Sequence, residues 1–140
     1  MAKKQIMPLW FYQLASPKYC YQITSKLLPL FAGAALVLLS VGIVWGLLFA
    51  PQDYQQGNSF RIIYIHVPSA ILAQSIYITM ALSGAIGIIW KMKVADMVAY
   101  ACAPIGASMA FIALMTGAIW GKPTWGSWWV WDARLTSMLI

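Results

Sequence analysis

The residues able to do chemistry are few and unevenly placed. Five of the eight tryptophans lie between Trp120 and Trp131. Four of them, Trp125, Trp128, Trp129 and Trp131, crowd together with Gly126, Asp132 and Arg134. The one histidine, His66, stands two residues before Pro68. A neutral imidazole is a common metal ligand and the usual ligand of haem iron. A lone histidine holds no zinc without companions, and no cysteine, glutamate or second histidine lies near it. A metal on His66 must therefore arrive with most of its coordination filled, as iron in a porphyrin does. The alternative is a solvated side chain at an interface.

If the chain is helical from Trp125 onward, at about 100° per residue, Trp125, Trp128, Trp129 and Asp132 fall within an arc of about 100°. Trp131 then lies about 60° outside that arc. Pro123 would open this helix, with Thr124 or Ser127 as its N-cap. Gly121 and Gly126 would let a ligand approach the indole face. Such a face suits a flat, aromatic, anionic ligand, and haem b is the best candidate. His66 would be the axial iron ligand, and Trp120, Trp125, Trp128, Trp129, Trp131 and Asp132 the platform. Arg61, Lys122 and Arg134 could pair with propionates. The other reading is an aromatic belt at a membrane interface with solvated surface charges around it. Trp45, Trp90 and Trp120 fit a belt without further explanation.

Membrane helices must position these groups. The chain is 62% hydrophobic and 9% charged, against about a quarter charged in a soluble domain. That composition reads as an integral membrane protein. Residues 1–26 form a basic and aromatic tail, either lying in the headgroup layer through Trp10, Phe11, Tyr12, Tyr19 and Tyr21 or hanging free. Residues 27–50 carry no charge and are long enough to cross a core of about 30 Å at about 1.5 Å per residue. Pro29 falls in the first turn of this span, and Gly42 and Gly46 are spaced for close helix contact. Residues 51–61 read as a polar surface loop.

The second span is 62–90, with His66 near its start and Gln74, Ser75, Thr79 and Ser83 as a polar stripe facing other helices. Ser83 and Gly87 form a further small pair. After a short turn at Lys91 and Lys93 comes the third span, 94–120. Ala99, Ala103 and Ala107 are its expected contact face, and Pro104 predicts a kink. Residues 121–134 are the Trp-rich segment, and 135–140 the start of a fourth span, so the chain reads as part of something longer. The expected fold is all-α: one polytopic membrane helical bundle with three complete transmembrane helices, the start of a fourth and a Trp-rich surface helix.

Lysine and arginine set the orientation. Lys3, Lys4, Lys18, Lys26, Lys91 and Lys93 fall on one side, against Arg61, Lys122 and Arg134 on the other. The N-terminus is therefore expected in the cytoplasm, and His66 and the Trp-rich segment outside, in the periplasm of a Gram-negative cell. The net charge of +6 belongs to residues flanking apolar runs, which speaks for topology and against nucleic acid as a partner. Cys20 and Cys102 form no metal or redox motif, and topology separates them, so no disulfide is expected. There is no phosphate-binding Gly-x-x-x-x-Gly-Lys loop, so any ATPase would belong to a partner. The first apolar run starts too far from Met1 and is too long for a cleaved signal.

The run Trp125-Gly126-Ser127-Trp128-Trp129-Val130-Trp131-Asp132-Ala133-Arg134 resembles the WGxWWxWDxR signature of the haem-handling membrane proteins of cytochrome c biogenesis. The stretch Arg61-Ile62-Ile63-Tyr64-Ile65-His66-Val67-Pro68, preceded by Asp53-Tyr54-Gln55-Gln56-Gly57-Asn58, is similar to the haem exporter protein C (CcmC) family of the bacterial cytochrome c maturation system. The resemblance covers nearly the whole chain and implies much that spacing does not. It implies six spans in the bacterial inner membrane and haem presented on the periplasmic side to a periplasmic haem chaperone. The implied partners are ABC-transporter subunits and a small single-span membrane protein. The first axial histidine maps onto His66 and the haem platform onto Trp125 through Asp132. A second axial histidine belongs to a later periplasmic loop, beyond Ile140.

The expected function is to hold and present haem for c-type cytochrome assembly, without enzymatic activity. The alternatives are a subunit that carries haem across the bilayer and a structural subunit that docks partners of an ABC-type complex. The first needs a polar path through the spans, which hold almost no ionisable residue besides Asp96 near one end.

Overall fold

The computed structural model describes Gln13 and residues 15–140. Lys3, Lys4, Trp10, Phe11 and Tyr12 of the expected interfacial tail lie outside the described residues. Helix α1 runs from Pro17 to Val44, and a wide π-helical turn, Trp45–Phe49, prolongs it. A loop and a 3-10 turn, Asn58–Ile62, lead into α2, Ile63–Trp90. Helix α3 is Lys93–Trp125, and a short α4 is Ala133–Leu139. Three stretches, Pro17–Phe49, Asn58–Trp90 and Lys93–Trp125, are long and apolar enough to cross a membrane. The expected all-α, multi-pass architecture is thus observed.

Helix α1 begins well before the uncharged run, because Pro17 suits a first helical position and Ser16 enters it in extended conformation. Lys18, Tyr19, Tyr21 and Lys26 therefore sit on the helix itself. Pro29, expected in a first turn, is internal and leaves the Ser25 carbonyl without its usual donor. Leu28, Leu30, Phe31, Leu36 and Leu38 are all exposed, as lipid-facing side chains are.

Helices α2 and α3 form the tightest pair in the fold. They are joined by Lys91 and Met92, with Lys91 in the left-handed region at φ 52°. Small residues let the two backbones approach. A Cβ on Gly106 would come 2.9 Å from Ile76 Cγ2, Gly87 lies against the Asp96 carboxylate, and Ala73, Ala95 and Ala113 are buried. The contact face of α3 agrees with the expected one in part, since Ala99 and Ala103 are half-buried on it. Ala107 is exposed, and Ala95, Gly106 and Ala113 also line the seam. Of the polar stripe of α2, Ser83 is half-buried. Gln74, Ser75 and Thr79 are exposed, and the two hydroxyls donate back to carbonyls of their own helix, Ile71 and Ser75.

Of the Gly42–Gly46 pair, one member makes the close approach. A Cβ on Gly46 would meet Tyr64 Cβ at 2.9 Å, whereas one on Gly42 would meet nothing within 4 Å. Cys20 and Cys102 are both free, as expected.

Candidate ligand site at one end of the bundle

The antiparallel α2–α3 hairpin carries the start of α2 to the end of α3. His66, in the first turns of α2, places Nδ1 3.0 Å from the Ala113 carbonyl oxygen and 3.2 Å from Thr116 Oγ1. Its ring meets that of Trp120 edge-on, with centroids 5.7 Å apart and planes at 66°. Trp120 donates its indole N–H to Gln56 Oε1 at 2.7 Å. Gln56 is positioned in turn by Asp53, whose Oδ1 accepts from the backbone N–H of Gln55 at 2.9 Å and of Gln56 at 2.8 Å. That aspartate-nucleated turn closes with an antiparallel bridge to Gly57, where φ is +59°. The loop before α2 and the end of α3 therefore meet around one imidazole.

Arg61 looks inward. Its Nε donates to the Ala50 carbonyl at 3.0 Å and its Nη1 to the Leu47 carbonyl at 3.1 Å. It thereby satisfies acceptors that the end of the π turn leaves open. Beside it lies a cleft of about 400 Å³, lined by Asn58, Ser59, Ile62, Ile119 and Trp120 among others.

The Trp-rich segment departs from expectation. No surface helix starts at Pro123. Helix α3 continues through it to Trp125, and Gly126 ends the helix in the left-handed region at φ +79°. Thr124, expected as an N-cap, donates its hydroxyl back to the Trp120 carbonyl at 2.7 Å. Lys122 Nζ donates to the Gly126 carbonyl at 3.0 Å. Residues 127–132 then follow without regular structure. A proline forbids only its own N–H, whereas a left-handed glycine reverses the chain, so the glycine sets the boundary.

The indoles consequently form two groups in place of one flat face. Trp125 tilts against Trp120, centroids 6.3 Å apart, and Trp129 meets Trp131 at 5.5 Å and 74°. Trp125, Trp128 and Trp131 are exposed, at 68%, 58% and 76%. Trp129 Nε1 is buried and has no hydrogen-bond partner among the described residues.

Asp132 is no member of an indole face but the N-cap of α4. Its Oδ1 accepts from the Leu135 N–H at 2.8 Å, and its Oδ2 pairs with Arg134 Nη2 at 2.7 Å. The Leu135 N–H first, and the Arg134 guanidinium next, hold its carboxyl below the usual carboxylate range. Arg134 is therefore engaged, although its side chain is largely exposed.

Among the described residues no cluster of three or more His, Cys, Asp or Glu could hold a bare metal ion. Gln56, Thr116 and Gly117 were not singled out by sequence reasoning. One signal existed for the last two. Equal steps outward from the Lys91–Met92 connection lead to His66 on one helix and Gly117 on the other.

The sequence profile of the family described as "Heme exporter protein C" matches residues 10–140. Curated relatives of that name include one from Haemophilus influenzae, 57% identical over 131 residues, and one from Escherichia coli K12, 57% identical over 129. These alignments cover 94% and 92% of this chain and 53% of each relative. A third, from Bradyrhizobium diazoefficiens, is 45% identical over 127 residues, covering 91% of the chain and 48% of the relative. The chain thus spans about half the length of the curated relatives it matches.

Proposed function

The chain belongs to the haem exporter protein C family, and on that premise we propose that it binds haem at the end of the bundle where His66 and the tryptophan loop meet. The observation that carries this reading is their junction: the sole imidazole lies edge-on to Trp120, near the end of α3, where Trp125 and then Trp128 and Trp131 of the following loop are exposed. Apolar indole surface suits a macrocycle, and an imidazole suits its iron. In this reading the protein is a holder and presenter, not an enzyme, and its cargo is haem b. It would sit in the bacterial inner membrane with its N-terminus in the cytoplasm and the tryptophan loop in the periplasm. The count of basic residues supports that orientation. A periplasmic haem chaperone would take the haem, and ABC-transporter subunits and a small single-span protein would accompany the exchange. His66 is the chain's one histidine, so a second axial imidazole would come from outside these residues.

The test is spectroscopic. Purified from membranes and supplied with haemin, the protein should show a Soret band that His66→Ala shifts or abolishes. An unchanged band would remove His66 from the site. Exposed indoles also suit docking of a partner protein, so Trp128→Ala with Trp129→Ala should be read twice. Failed haem loading with partner assembly intact supports the haem platform. Failed assembly with haem retained supports a docking subunit instead.

A further inference from the structure

The setting of His66 decides which ring nitrogen carries its proton. A backbone carbonyl can only accept, so the contact of Nδ1 with the Ala113 oxygen at 3.0 Å is a bond only if Nδ1 bears the hydrogen. The second neighbour agrees. The Thr116 hydroxyl donates to the Ile112 carbonyl at 2.6 Å. Towards His66 Nδ1, 3.2 Å away, it can therefore offer only a lone pair. The carbonyl thus demands one tautomer, and a Thr116 hydroxyl that donates to Ile112 fits it. A ring protonated at Nδ1 has its free lone pair on Nε2, and Nε2 has no hydrogen-bond partner among the described residues. Metal-binding histidines are commonly oriented in this way, the distal N–H anchored on a carbonyl and the other nitrogen facing the metal.

Ring orientation is set by the same helix. Gly117 leaves room for the imidazole, since a Cβ there would come 2.9 Å from Cε1 and 3.4 Å from Nδ1. Any side chain at that position would drive the ring away from the Ala113 oxygen. Thr116 and Gly117 are neighbours on α3, one turn before Trp120, so a single stretch of helix supplies acceptor, clearance and aromatic edge.

We propose that α3 presets His66 as the Nδ1-protonated tautomer with Nε2 open, and that Thr116 and Gly117 are positioning residues for an incoming metalloporphyrin. The claim about the ligand rests on the haem-holding reading above, whereas the claim about the tautomer does not. Presetting removes the cost of selecting tautomer and ring angle when the ligand binds.

Nitrogen NMR of the histidine-labelled, ligand-free protein tests it first. The chain has one histidine, so its two ring signals identify themselves. Nδ1 should appear protonated and Nε2 bare. Gly117→Ala should mix the tautomers and weaken haemin binding roughly 10- to 100-fold, the usual effect of losing an outer partner of a metal ligand. If that variant fails to fold, Thr116→Val carries the test. It should raise the Nε2-protonated fraction and shift the Soret band, and Thr116→Ser should restore both. A wild-type ring protonated at Nε2 would overturn the proposal, as would a Thr116→Val protein unchanged in tautomer and in haemin affinity. A preset ring in a protein that takes up no haemin would support the tautomer claim and sink the haem-holding reading, which keeps the two failures apart.

Discussion

Arg61 shows how a cation beside a candidate anion site can be committed elsewhere. Its Nε and Nη1 close the carbonyl end of the first membrane segment, on Ala50 and Leu47. A charged hydrogen bond of this kind contributes about 1.5–3 kcal/mol, and more is lost when a half-buried carbonyl is left bare. Arg61→Ala should therefore lower thermal stability in detergent by about 2 kcal/mol or more, with Arg61→Lys intermediate because one ammonium cannot imitate the fork. Thermal unfolding followed by circular dichroism measures this. Unchanged stability with lost haemin binding would assign Arg61 to the ligand. At this scale His66 and the exposed tryptophans were legible in the sequence, because composition and crowding mark them. Gln56 and Thr116 were not. An ordinary glutamine in a polar loop and an ordinary threonine in an apolar helix acquire meaning only through Trp120 and His66, which lie far from them in the chain or across a helix seam.

Among the elements, the first segment and the tryptophan loop teach the most. Gly42 and Gly46 look equivalent in sequence, yet among the described residues only Gly46 lies against another chain segment, at Tyr64. Gly46→Ala should push the end of α1 from the start of α2 and cost about 1–3 kcal/mol, as overpacking does. Gly42→Ala should be neutral or stabilising by up to about 1 kcal/mol, because alanine favours helix where there is room. Denaturation of both variants side by side checks the pair, and equal effects would contradict the contact. The loop shows the opposite lesson. A helical projection of Trp125–Asp132 is reasonable arithmetic, but it presumes that the segment is helical. Gly126 in the left-handed region, and Asp132 capping the next helix, break it at both ends.

For the molecule as a whole, the α2–α3 hairpin makes two ends. One carries Lys91 and Met92, and the other carries His66, Trp120 and the loop around Gly126. With Cys20 and Cys102 replaced by serine, single cysteines at Met92 and Gly126 should react with a membrane-impermeant reagent from opposite sides. In oriented vesicles, on the proposed orientation, Gly126→Cys should label from the periplasmic side and Met92→Cys only after the membrane is opened. Labelling of both from one side would break the three-crossing arrangement.

The chain alone determined that its helices are membrane-length, and that its chemistry-bearing groups gather in the loops and helix ends at one end of the hairpin. Length, hydropathy and charge are local properties, and each can be read within a window of one helix. Tertiary structure alone decided which glycine makes a contact, which cation is spent on backbone and which nitrogen of His66 stays open. Each of those depends on an atom supplied by a different segment: Tyr64 for Gly46, Ala50 for Arg61, Ala113 for His66. No periodicity within one segment encodes the position of another, so those assignments waited on the packing of α2 against α3.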